Sequence, residues 1–155
     1  MEILISDEKA FFRNTELGAF RRAAKRALAA LGTDDNAELS ITFIDDREMR
    51  GLNSQYRNLD RTTDVLSFPQ GDGEVGGEGG ADSPLDGLLL GDVVISIDTA
   101  GRNARRYGVT LRNEVLRLIV HGTLHLLGYD HKRPAERVVM RAKEKEVMGV
   151  ITGRR

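Results

Sequence analysis

The sequence predicts an α/β or α+β sandwich in a single domain. Short β-prone stretches alternate with longer segments whose apolar residues recur at helical spacing, and no internal repeat interrupts them. The one long stretch with almost nothing to bury has too little potential core on either side to separate two domains. At 155 residues the chain suffices for one domain with a real core.

Glu2 to Ser6 is short and β-prone and reads as an opening strand. From Thr15 to Leu31, residues Leu17, Phe20, Ala24, Ala27, Leu28 and Leu31 share a helical face, and Gly32 ends the run. Glu38 to Ile44 alternates Leu39, Ile41 and Phe43 with polar partners, as a half-buried strand does. Asp45 and Asp46 offer N-caps to a short helix carrying Met49, Leu52 and Tyr56. Val65 to Phe68 is a third strand, which Pro69 is expected to stop. Gly71 to Gly87, rich in glycine and acid with little to bury, is predicted to be a flexible loop.

Leu88 to Ile97 is apolar and β-branched, the pattern of a central strand. Asp98 or Thr99 is expected to cap the next helix, which ends near Gly108. Thr110 starts another, with Leu111, Val115, Leu118, Ile119 and Leu126 on apolar faces. Pro134 suits the first turn of a last helix, along which Val138, Met140 or Arg141, and Val147 or Met148 would pack.

Composition excludes several function classes. With no cysteine, disulfides, thiolate ligands and cysteine nucleophiles are all absent. The chain opens Met1-Glu2 and is charged again by Asp7, unlike a secretory signal, and no apolar run approaches the ~20 residues that cross a bilayer. A cytoplasmic location without membrane attachment is expected. The net charge of -1 supplies no global attraction for nucleic acid. Its distribution is uneven, however. Val65 to Thr99 holds no Lys or Arg, whereas Arg102, Arg105, Arg106, Arg112, Arg117 and a Lys/Arg-rich C-terminus follow, permitting a local basic surface.

All three histidines of the chain, His121, His125 and His131, fall within eleven residues. Residues four apart lie on one helix face, ~6 Å apart along the axis, so His121 and His125 can address one ion. Gly128 can end the helix in the left-handed conformation, turning the chain back to present His131. Three protein ligands with a fourth position for water is the pattern of catalytic zinc, placed here at the C-terminal end of a helix. The spacing equals that of His-Glu-x-x-His-x-x-Gly-x-x-His metalloproteases, except that Gly122 replaces the glutamate serving as their general base. Proteolysis is therefore disfavoured. Asp130 and Glu114 are candidate helpers, with turn chemistry or a surface ion pair the simpler role for each, and Asp130 could instead orient an imidazole.

His121-Gly-Thr-Leu-His125-Leu-Leu-Gly-Tyr-Asp-His131 resembles the signature of the YbeY family of bacterial zinc-dependent endoribonucleases. Leu52-Asn53, Tyr56-Arg57, Asp60, the run Thr63 to Pro69, and the strand Leu90 to Ile95 resemble it independently. The resemblance, from about Ile41 to Met148, implies an α+β fold with a small mixed sheet of about four strands. It also implies one zinc ion, cleavage of single-stranded RNA, maturation of small-subunit rRNA ends and ribosome quality control. Implied partners are the small ribosomal subunit, a small-subunit ribosomal protein and an Era-like GTPase. The family's functional arginine corresponds to Arg57, for which the residues alone equally suit a salt bridge to Asp60 or Asp64. The chain departs from the pattern in its loop from Gly71 to Gly87 and in Lys132-Arg133-Pro134, where acidic residues are common. The basic run offers a further phosphate contact.

The expected mechanism has zinc activating water or a ribose 2′-hydroxyl while Arg57 grips the scissile phosphate. Two alternatives stand beside it: a zinc hydrolase of another class, such as a peptidase, and a ribosome assembly factor whose metal is mainly structural.

Overall fold

The computed structural model describes residues 1–70 and 89–153, so the predicted loop from Gly71 to Gly87 lies outside the described residues. Strands β1 (Glu2–Ser6), β2 (Glu38–Ile44), β3 (Val65–Pro69) and β4 (Leu89–Ser96) form a sheet of order β1-β2-β4-β3. β1 pairs parallel with β2, β2 parallel with β4, and β3 antiparallel with β4. Helices α1 (Asn14–Ala30), α2 (Asp46–Arg57), α3 (Ile97–Tyr107), α4 (Leu111–Leu126) and α5 (Pro134–Thr152) complete the chain. The result is the expected α+β fold with a mixed sheet and β4 in its interior. Among the described residues, no helix is long and apolar enough to cross a membrane.

Period-two patterning divides the strand side chains between two layers. Leu39, Ile41, Phe43, Val93 and Ile95 join Phe20 and Leu28 of α1 and Val115, Leu118 and Ile119 of α4 in the main core. Ile44, Leu66 and Val94 point the other way, onto Met49 of α2. α5 closes a third cluster, Met140 and Val147 packing with Val120 and Leu124 of α4 and Ala27 of α1. α4 is thus buried on two sides and forms the axis of the fold. Met140 and Val147 form the buried stripe of α5 as expected, whereas Val138, expected on the same face, is 70% exposed.

Gly91 shows how sharply the edge is specified. The β2–β4 register shifts between Glu38 and Leu39, which face Leu89 and Gly91. Gly91 has φ 136°, and a Cβ there would lie 2.2 Å from the Phe68 carbonyl oxygen. Only glycine satisfies both constraints. Pro69 is the last residue of β3 and pairs with Gly91, tolerated because β3 is an edge strand.

One cap differs from expectation. α3 follows β4 directly, so its cap is Ser96, whose Oγ accepts the Thr99 N–H at 3.4 Å, and not Asp98 or Thr99. Asp98 instead accepts the Asp46 N–H at the start of α2. Asp45 caps α2 by accepting the Glu48 N–H, which leaves Asp46 for a different task. Its Oδ1 accepts hydroxyls from Thr62, Ser96 and Thr99, and its Oδ2 pairs with Arg102 at 2.7 Å. Partial burial raises its pKa, but the hydroxyls of Thr99 and Ser96, the Arg102 guanidinium and the Thr62 hydroxyl outweigh that and lower it from 3.8 to about 2.

A depressed folded-state pKa means stability that is fully present above the unfolded value and lost as pH falls through the folded one. Asp46 should contribute about 1–2 kcal/mol above pH 4, after allowance for its partial exposure. Denaturant titrations of wild type and Asp46→Ala between pH 7 and pH 2 should show a gap that closes from about pH 4 downward. A gap unchanged at pH 2 would show that the ionised carboxylate is not its source.

Candidate metal centre and cleft

α4 (Leu111–Leu126) is capped by Thr110, whose Oγ1 accepts the Asn113 N–H, and its last two turns carry His121 and His125. Gly128, at φ 96°, reverses the chain just past the helix end. The reversal brings His131 over that end. His121 Nε2 lies 3.2 Å from His125 Nε2, and His131 Nδ1 lies 3.1 Å from His125 Nε2. The three ligand atoms all fall within 4.8 Å of one another.

Hydrogen bonds define which nitrogen is available in two of the rings. His125 Nδ1 is 3.0 Å from the Tyr129 carbonyl, which can only accept, so Nδ1 carries the hydrogen and Nε2 the lone pair. His121 Nδ1 is 3.0 Å from Glu144 Oε2, which leaves its Nε2 as a lone pair too. Burial lowers the His125 pKa, and the neighbouring His121 and His131 lower it further, which favours the uncharged form of the ring.

Lone pairs 3.2 Å apart repel unless a cation lies between them. One proton can bridge only one such pair, whereas a metal ion serves all three rings. Nitrogens bound to tetrahedral zinc at ~2.05 Å lie ~3.3 Å apart, close to the two short separations here. The donor set fits a metal ion.

A network behind the histidines escaped the sequence reading. Glu144 of α5 accepts from His121 through Oε2 and from Arg117 Nη1 at 3.1 Å through Oε1. Arg117 also pairs with Glu114, which is 1% exposed. Burial pushes the Glu144 pKa up, but the bonds from His121 and Arg117 overcome it and leave it lowered. Glu114, a candidate helper, is therefore buried beneath Arg117 as part of this network and does not line the cleft. Asp130 does line it, but its Oδ1 accepts the His131 N–H at 2.7 Å, and that bond lowers its pKa. Asp130 orders the turn; the imidazoles of His121 and His125 are oriented by Glu144 and the Tyr129 carbonyl. Glu144 carried one legible signal, a carboxylate between Met140 and Val147 on the buried stripe of its helix.

Arg57 is the last residue of α2, which ends at Asn58 in the left-handed conformation (φ 56°). Asn53 Nδ2 donates to the Arg61 carbonyl at 2.8 Å and ties down the following turn. Arg57 thereby shares with all three histidines the lining of a cleft of about 780 Å³. Neither salt bridge open to it on sequence grounds forms. Asp60 pairs with Arg50 at 2.8 Å, and Asp64 accepts from Asn103 at 3.3 Å. Among the described residues Arg57 makes no ion pair.

Gly122 faces away from the cleft, onto the sheet. A Cβ there would stand 2.6 and 3.0 Å from the two methyls of Val93 and 3.1 Å from Ser67 Oγ, which donates to the Gly122 carbonyl at 2.9 Å. Val93 is fully buried and cannot retreat. The position that carries a glutamate in metalloproteases of this spacing is here a contact surface between helix and strand.

Comparison with known proteins agrees with this geometry. The family model described as Endoribonuclease YbeY matches residues 3–152. A Pelotomaculum thermopropionicum protein named Endoribonuclease YbeY is 50% identical over 134 residues, 85% of this chain and 84% of that one. An Aquifex aeolicus protein of the same name is 54% identical over 113 residues, 73% of this chain and 68% of its own. The solution structure of TM1509 from Thermotoga maritima superimposes with a TM-score of 0.65 at 23% identity, covering 99% of this chain and 90% of that one, a likeness of fold. With a match over almost its full length and relatives at half identity, the chain is a member of the YbeY family.

Proposed function

We propose that this chain is a zinc-dependent endoribonuclease cutting single-stranded RNA, with the ion on His121, His125 and His131 and the scissile phosphate on Arg57. Family membership extends the proposal to maturation of small-subunit rRNA ends and ribosome quality control in the cytoplasm. The partners would then be the small ribosomal subunit, a small-subunit ribosomal protein and an Era-like GTPase. The observation that carries it is that one cleft is lined both by the three convergent imidazoles and by an arginine without an ion pair among the described residues.

The chemistry follows from those side chains. A zinc ion, when bound, supplies Lewis acidity and positive charge where the transition state of phosphodiester cleavage gathers negative charge. His121 and His125, oriented by Glu144 and the Tyr129 carbonyl, offer it their Nε2 lone pairs, and His131 offers its Nδ1. Arg57 offers a planar fork that can hold two non-bridging oxygens at once, an arrangement lysine cannot match. Lys132 adds a second cation to the cleft lining. Asp130, its pKa lowered and one oxygen already occupied, is a poor proton acceptor at neutral pH and is assigned no proton transfer. Arg57 and Lys132 line the cleft together with Asp64 and Asp130, so attraction for phosphate there rests on the placement of these two cations and not on the net charge of -1.

The test incubates metal-replete protein with single-stranded RNA and, separately, with casein. RNA cleavage that His125→Ala abolishes together with bound metal is expected, and casein should stay intact. Cleavage undiminished in His125→Ala would identify a contaminating nuclease, and casein hydrolysis would move the chain to the peptidases.

A further inference from the structure

The histidines separate two concavities. Behind the cleft that holds Arg57 is a second pocket of about 270 Å³, whose lining also includes His121 and His131. Its remaining lining comes mostly from α5: Met140 and Glu144, with Arg137 and Arg141 one helical turn apart. Both arginines are exposed, and among the described residues neither makes an ion pair. Glu144, the carboxylate in this pocket, has both oxygens engaged, one by Arg117 and one by His121. Three guanidiniums, of Arg117, Arg137 and Arg141, thus stand against two carboxylates, Glu114 and Glu144. The pocket is electropositive before any metal is counted.

Two unpaired guanidiniums at i and i+4 can address one tetrahedral anion together. Resting on the nuclease reading above, we infer that Arg137 and Arg141 bind a phosphate of the RNA adjacent to the scissile one. The strand then crosses the metal centre with Arg57 on one side and this arginine pair on the other. The pair makes the enzyme require a nucleotide extension on one side of the cut and acts on substrate binding, since it lies outside the cleft holding Arg57. A solvated helix face would explain the exposure of these arginines equally well, but not their place in the lining of a pocket that shares two of the three histidines.

The test compares wild type, Arg137→Gln/Arg141→Gln and Arg137→Lys/Arg141→Lys on oligoribonucleotides extended from the cut in both directions or truncated on one side. With the fully extended substrate, the glutamine variant should raise KM about tenfold with kcat nearly unchanged, and the lysine variant should recover part of the loss. Truncation on one side should remove the difference between wild type and variant, and truncation on the other should not. Binding followed by fluorescence anisotropy without added metal should show the log K against log salt slope reduced by about 0.7, as for one lost phosphate contact on a single strand. Unchanged KM and salt slope in the glutamine variant, or a loss insensitive to truncation on either side, overturns the inference while leaving the nuclease intact. No RNA cleavage by the metal-replete wild type overturns both.

Discussion

Arg57→Ala is expected to slow RNA cleavage 10²- to 10³-fold while metal content and melting temperature stay at wild-type values. The magnitude is that of removing one preorganised donor aimed at developing charge. Three features of the structure make the effect separable from folding. Arg57 is exposed, it terminates α2 with no ion pair among the described residues, and the turn behind it is fixed by Asn53 independently of its side chain. Arg57→Lys should retain part of the rate, since the charge remains but the two-pronged contact does not. Metal analysis beside single-turnover kinetics checks both. If activity and metal disappear together, Arg57 supports the histidine site and does not touch the substrate.

The parts of this protein encoded by local pattern were readable in advance. The helix carrying His121 and His125 was legible because four-residue spacing, a glycine at the reversal and a third histidine beyond it express geometry within eleven residues. Strand and helix positions were legible for the same reason, apolar period being a local signal. Features that depend on which surfaces meet were not. The sheet order β1-β2-β4-β3 places β4 beside partners that no periodicity names. Asp46 looked like half of a capping pair, and only the meeting of α2, α3, the end of β4 and Thr62 shows it as their common acceptor. Gly122 was legible as a missing base but not as a contact, because Val93 and Ser67 approach it from strands that precede α4 in the chain. The capping misassignment at α3 has the same origin: Ser96 belongs to a strand by pattern and to a helix start by topology.

Glu144 is where such a tertiary partner should matter most to function. It lies 23 residues from His121, on another helix, and its carboxylate fixes the hydrogen of that imidazole on Nδ1. Glu144→Ala removes the acceptor, so the ring is free to rotate or to exchange tautomers, and the Nε2 lone pair is no longer held toward His125. Zinc affinity, measured by competition with a chromogenic chelator, should fall 10- to 100-fold. Glu144→Gln should fall less, because its amide oxygen can still accept from Nδ1 although the charge is gone. Folding should survive both changes, since Arg117 retains Glu114 and Met140 and Val147 keep α5 packed on α4. The ordering of wild type, glutamine and alanine separates orientation from bulk electrostatics. Equal losses in the two variants would assign the effect to the negative charge of Glu144. Unchanged affinity in both would mean that the Tyr129 carbonyl and the fold of α4 orient the donors without help from α5.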